Sequence, residues 1–97
     1  MHQQGVIYRD LKLENVMMSP SGHIKITDFG MCKIDLGNGL RTNSVVGTSE
    51  YLPPEILMRT QYTFSVDWWT YGIVLYEMLC GEHPFYSEDK ETLYRVI

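Results

Sequence analysis

Two aspartates on separate short loops carry the chemistry available to this chain: Asp10 inside YRDLKLEN and Asp28 inside TDFG, with Asn15 between them. One carboxylate can receive the proton of a hydroxyl. A second, joined by the neutral oxygen of an Asn, can hold magnesium against phosphate groups. Transfer of a phosphoryl group needs both. A lone turn Asp usually does no more than accept neighbouring backbone amides, so the weight rests on order. RDLxxxN, a turn-bearing stretch, DFG, GTxxYxxPE and DxWxxG follow one another along the chain, and together they are far more specific than any one string.

Elements that would position these residues can be read from pattern. Val16-Met17-Met18 and His23-Ile24-Lys25-Ile26-Thr27 read as two short strands joined by turn residues Pro20-Ser21-Gly22. Such a hairpin fixes Asn15 and Asp28 close together, with YRDLKLEN at one mouth and DFG leaving the same end. Residues 31–48 show no periodicity and contain Gly37-Asn38-Gly39, which predicts a mobile loop. A short helix is expected near Glu55, after Pro53-Pro54. Ser65 is expected to cap a long helix ending near Cys80 at Gly81, and Ser87-Glu88-Asp89 to begin a further one. The long helix is apolar around its whole circumference, as in the centre of a core, yet little else in the chain is available to surround it.

Composition narrows the function classes. The chain has 97 residues and a net charge of −4 without any Lys/Arg run, which disfavours nucleic acid or an anionic membrane as the main partner. Cys32 and Cys80 lack metal-ligand spacing and fit a reduced, intracellular and most simply cytoplasmic setting. No signal peptide is evident, and the apolar run from Ile73 to Leu79 is too short to span a bilayer and is interrupted by Glu77. His2, His23 and His83 read as surface or turn residues, and Met17, Met18, Met58 and Met78 as core filler.

YRDLKLEN, GHIKITDFGMCK, GTSEYLPPE and SVDWWTYGIVLYEML resemble the protein kinase catalytic domain of the AGC serine/threonine group, with protein kinase C-like sequences nearest in wording. The resemblance covers residues 1–97 but well under half of such a domain. It implies an α+β, partial protein-kinase-like fold: a mostly helical large-lobe fragment with a short β-hairpin beside the catalytic loop, lacking the small lobe and the C-terminal helices.

The resemblance also implies roles. Asp10 is the base, Asp28 and Asn15 hold Mg2+ on ATP, and Lys12 touches the transferred phosphate, with Thr48 bonded to both Asp10 and Lys12. Lys12 and Thr48 indicate Ser/Thr substrates and argue against a tyrosine kinase. Phe29 anchors the DFG segment, and Gly30 follows it as a residue that tolerates positive φ in a loop that flips. Ser44 occupies an activation-loop phosphosite position, with Thr42 as rival acceptor and Arg9 and Lys33 as phosphate-binding residues. Phosphorylation there would require an upstream activating kinase. Glu14 and Glu77 match positions that hold an arginine two residues before the phospho-acceptor, giving a preference for protein substrates near basic residues. Val45, Ser49 and Leu52 would line the pocket for the residue after it. Asp67 would bond the backbone of the catalytic loop, and Glu55 would pair with an arginine lying beyond Ile97.

Departures from the family pattern are mild: Tyr8 stands for the usual His, Pro53 for an Ala, and Ser49 for a Pro. A glycine-rich phosphate loop and a VAIK-type lysine are not in the sequence. The expectation is therefore a Ser/Thr kinase fragment, poorly folded and inactive by itself. The alternative is a truncated, non-catalytic kinase serving as an interaction or decoy module.

Overall fold

The hairpin is where pattern and turn chemistry agree. The computed structural model describes residues 1–35, 39 and 41–97. In it β2 (Val16–Met18) pairs antiparallel with β3 (Ile24–Ile26), in the register Val16↔Ile26, Met17↔Lys25 and Met18↔Ile24. The turn closes through Ser19 N–H on the His23 carbonyl at 2.8 Å, and Gly22 takes the left-handed φ of 83° that the reversal requires.

A second ribbon was not expected. β1 (Val6–Ile7) pairs antiparallel with β4 (Lys33–Ile34), laying the stretch after DFG beside the stretch that leads into Asp10. Two-residue strands are too short to show a period, so this part of the expected loop carried no signal. Gly5 permits the approach: its φ is 72°, and a Cβ there would come within 3.2 Å of Asp35 Cβ. Farther along, Thr42 forms an isolated antiparallel bridge with Tyr62. The loop reading for residues 31–48 is thus corrected at both places, while Gly37 and Asn38 lie outside the described residues.

Helices α1 (Pro54–Leu57), α2 (Ser65–Cys80) and α3 (Lys90–Val96) follow, with single 3₁₀ turns at His2–Gln4, Leu13–Asn15 and Ser49–Tyr51. Gly81 ends α2 with φ 77°, its N–H on the Glu77 carbonyl at 2.8 Å. Ser65 does not cap α2; it is already helical, and Phe64 holds the cap position without a side-chain cap bond. In α3 the cap is Asp89, which accepts the Thr92 N–H at 2.7 Å. Ser87 lies outside that helix and instead accepts the Asp89 N–H.

Ile7, Leu52, Ile56, Tyr62 and Val66 form one buried cluster, and Tyr51, Ile73 and Val74 a second, flanked by Leu11, Trp69 and Phe85. α2 buries only Val66, Asp67, Thr70, Ile73 and Val74. Trp68, Tyr71, Leu75, Tyr76, Met78 and Leu79 are exposed, Leu79 at 77%. The four methionines expected as core filler are also on the surface, Met18 at 75%. The fold is α+β, as the resemblance implied.

Candidate active site

Asp10 stands on a turn held open by one buried carboxylate. Asp67, in the first turn of α2, accepts the backbone N–H of Tyr8 at 2.9 Å and of Arg9 at 2.8 Å, and His2 Nε2 lies 2.6 Å from its Oδ2. These bonds hold Arg9 at φ 70°, a conformation that non-glycine residues adopt rarely. Asp10 itself is 8% exposed. Its Oδ1 accepts from Thr48 Oγ1 at 3.1 Å, and its Oδ2 accepts from Asn15 Nδ2 at 3.1 Å. Lys12 Nζ donates to Thr48 Oγ1 at 2.9 Å and lies 3.6 Å from Asp10 Oδ2. Asp10, Lys12, Asn15 and Thr48 are thus brought into one hydrogen-bonded cluster.

Asp28 reaches the same edge through the hairpin. Thr27 N–H binds the Asn15 carbonyl at 2.9 Å, the Tyr8 hydroxyl donates to the Thr27 carbonyl, and Phe29 meets the Tyr8 ring edge-on at 5.6 Å. Burial first, then the charge of Asp10 and more weakly that of Asp28, pushes the Tyr8 hydroxyl up to about 12, with Asn15 opposing. Both carboxylates therefore act on one phenol.

The positive φ of this segment sits on Asp28, at 59°, rather than on Gly30. Asp tolerates the left-handed region because its short side chain bonds locally, here Oδ1 to the Gly30 N–H at 3.2 Å. Gly30 is needed for a different reason: a Cβ there would meet Asp28 Oδ1 at 3.2 Å. Asp28 and Phe29 are exposed. Asn15 uses its amide N–H groups on the Asp10 carbonyl and carboxylate, so among the described residues its Oδ1 and Asp28 Oδ2 are without hydrogen-bond partners. One Asp and one Asn suit magnesium, which takes few protein ligands and keeps phosphates and waters.

Arg9 Nε donates to the Met31 carbonyl at 2.5 Å, and its Nη1 lies 3.4 Å from the Tyr62 hydroxyl, which donates to the Ser44 carbonyl at 2.7 Å. The hydroxyls of Ser44 and Thr42 are 3.2 Å apart. Lys33, on β4, has no ion-pair partner among the described residues.

At the far end of α2, Glu77 Oε2 accepts the Tyr51 hydroxyl at 2.6 Å. Burial, then the Glu77 bond and charge, and then Glu14 raise the Tyr51 hydroxyl well above its usual range, so both glutamates stand near one phenol. Val45 is exposed and Ser49 half-buried. Leu52 is 6% exposed, inside the first core cluster beneath Gly47, and borders the narrow cleft that Asp10 and Thr48 also line. The half-buried Glu55 makes no ion pair among the described residues.

Sequence reasoning missed three residues. His2 is no surface histidine but a partner of Asp67, and no spacing rule links positions 65 residues apart. Tyr62 likewise gave no signal. Tyr51 lies inside GTxxYxxPE and could have been singled out there. No described helix is long and apolar enough to cross a membrane.

The protein kinase domain family matches over residues 1–97. The chain is 52% identical over its whole length to protein kinase C delta type of Homo sapiens, covering 14% of that protein. It is 52% identical to the RAC serine/threonine-protein kinase of Drosophila melanogaster, covering 16%, and 50% identical to the human RAC-beta serine/threonine-protein kinase, covering 20%. The chain thus spans a fifth or less of the length of these relatives.

Proposed function

The chain belongs to the protein kinase family, and on that premise we propose that it carries the phosphoryl-transfer core of a serine/threonine kinase using ATP and Mg2+. The observation that carries this reading is the linked set Lys12–Thr48–Asp10–Asn15, with bonds of 2.9, 3.1 and 3.1 Å. It presents a carboxylate oriented from both sides beside a cation that can meet a phosphate. Asp10 accepts the proton of a Ser or Thr hydroxyl as that oxygen attacks the γ-phosphorus and ADP leaves. Asp28 and Asn15 hold magnesium, Lys12 contacts the transferred phosphate, and Thr48 orients Asp10. Asp67, Phe29, Gly30 and Glu55 serve the scaffold.

Glu14 and Glu77, gathered around Tyr51, bind an arginine two residues before the acceptor, which makes the enzyme basic-directed. Val45, Ser49 and Leu52 line the pocket for the residue after it. Ser44 is the activating phosphosite, modified by an upstream kinase and read by Arg9 and Lys33. The kinase works inside the cell. Residues 1–97 alone are inactive, because they hold no glycine-rich loop or VAIK-type lysine to seat the nucleotide.

Two measurements test this. Titrating ATP and Mg2+ into the 97-residue chain is expected to give no saturable binding. The full-length protein carrying this segment is expected to phosphorylate Ser/Thr peptides and to prefer arginine at the second position before the acceptor. Glu77→Ala should erase that preference. A full-length protein that transfers no phosphate from ATP to any Ser/Thr peptide would remove the assignment.

A further inference from the structure

Tyr62 is 2% exposed, with its ring packed among Ile7, Leu52, Ile56 and Val66. A phenylalanine would fill that space as well, so packing does not explain the hydroxyl. The hydroxyl has two polar neighbours: it donates to the Ser44 carbonyl at 2.7 Å and lies 3.4 Å from Arg9 Nη1. The Tyr62 backbone meanwhile exchanges both bonds with Thr42, at 2.9 and 3.2 Å. One residue thus grips the segment at two points, by main chain at Thr42 and by side chain at Ser44. Thr42 Oγ1 tightens the interval by accepting the Ser44 N–H at 3.4 Å.

We propose that the Tyr62 hydroxyl is a positioning group that couples the Ser44 segment to Arg9, and so to the turn preceding Asp10. This rests on Ser44 being the phosphosite. Arg9 already joins three elements: its N–H is on Asp67, its Nε on Met31, and its Nη1 on Tyr62. The Tyr62 contact is long for a hydrogen bond, and the remaining guanidinium N–H groups have no partner among the described residues. A phosphate on Ser44 takes those donors in short, charge-assisted bonds, while Tyr62 keeps the Ser44 backbone within reach of them. Without the hydroxyl, Tyr62 holds this segment by its main chain at Thr42 alone, and the phosphate and Arg9 must find each other from there.

The test compares wild-type and Tyr62→Phe full-length kinase, each with Ser44 phosphorylated and dephosphorylated, at a temperature well below both unfolding midpoints. Wild type is expected to be activated by the phosphate. In Tyr62→Phe that activation should fall about tenfold, the scale of one lost hydrogen bond in a charged network. Phosphatase should also remove the Ser44 phosphate faster in the variant, which a purely structural tyrosine would not predict when the ring is retained. Equal activation in the two proteins overturns the role of Tyr62 and leaves the phosphosite standing. Full activity in Ser44→Ala overturns the phosphosite and this inference with it.

Discussion

Asp10 and Asp28 share an edge of the molecule in opposite surroundings. Asp10 is buried, with Thr48 and Asn15 on its two oxygens and Lys12 close by. Asp28 is exposed, sits at a positive φ, and among the described residues its side chain bonds only the nearby Gly30 amide. The contrast follows from the tasks proposed for them. A group that must meet one proton along one line gains from being fixed before the substrate arrives. A group that holds magnesium gains from an open side, because phosphates and waters complete the coordination.

The comparison is most directly broken at Asp10. Asp10→Asn in the full-length kinase is expected to lower phosphoryl transfer by about 10²–10⁴-fold at saturating ATP. A variant keeping most of its turnover number would show that the pre-set carboxylate is not the base.

The next effect is on stability. Asp67→Ala leaves the Tyr8 and Arg9 amides without their acceptor and should cost about 1–3 kcal/mol in denaturant unfolding. Asp28→Asn, exposed and tolerant of its φ, should change stability by no more than about 0.5 kcal/mol. Equal costs for the two would erase the distinction between a built site and an open one.

A pH series sharpens it further. The Tyr8 hydroxyl titrates near 10 when unfolded and is pushed up to about 12 when folded, by burial and then by Asp10. Between those values the folded state binds more protons than the unfolded one. The contribution of Tyr8 is therefore fully present below pH 10 and is lost as pH rises towards about 12. Tyr8→Phe should flatten that part of the unfolding midpoint's pH dependence. The smallest effect belongs to α2: Leu79→Ser, on its uncovered side, should change the unfolding free energy of the 97-residue chain within about 0.5 kcal/mol.

Legibility in the sequence followed the range of the physics. The β2–β3 hairpin, the α2 span and its Gly81 stop are set by neighbours a few residues away, and they were readable. So was the gathering of Asp10, Lys12, Asn15 and Thr48, because the motif strings carry it. The β1–β4 ribbon was not, since four residues paired across a long separation leave no period. Nor was His2, whose partner lies in another helix. Met17, Met18, Met58 and Met78 misled because hydrophobicity states what a side chain prefers, not whether this chain has a surface to offer it.

The β1–β4 ribbon has a mechanical consequence. Its two leaves are two residues each, the weakest kind of sheet. Both flanks of the β4 leaf are tied back to the β1 side, by Arg9 Nε on the Met31 carbonyl and by the Asp35 N–H on the Gly5 carbonyl. The β1 leaf continues directly into the amides clasped by Asp67, and Ile7 is wholly enclosed. The β4 leaf ends in an outward-facing Ile34. Unzipping would release the chain beyond Met31 while the Asp67 clasp on Tyr8 and Arg9 kept the turn that carries Asp10 in place.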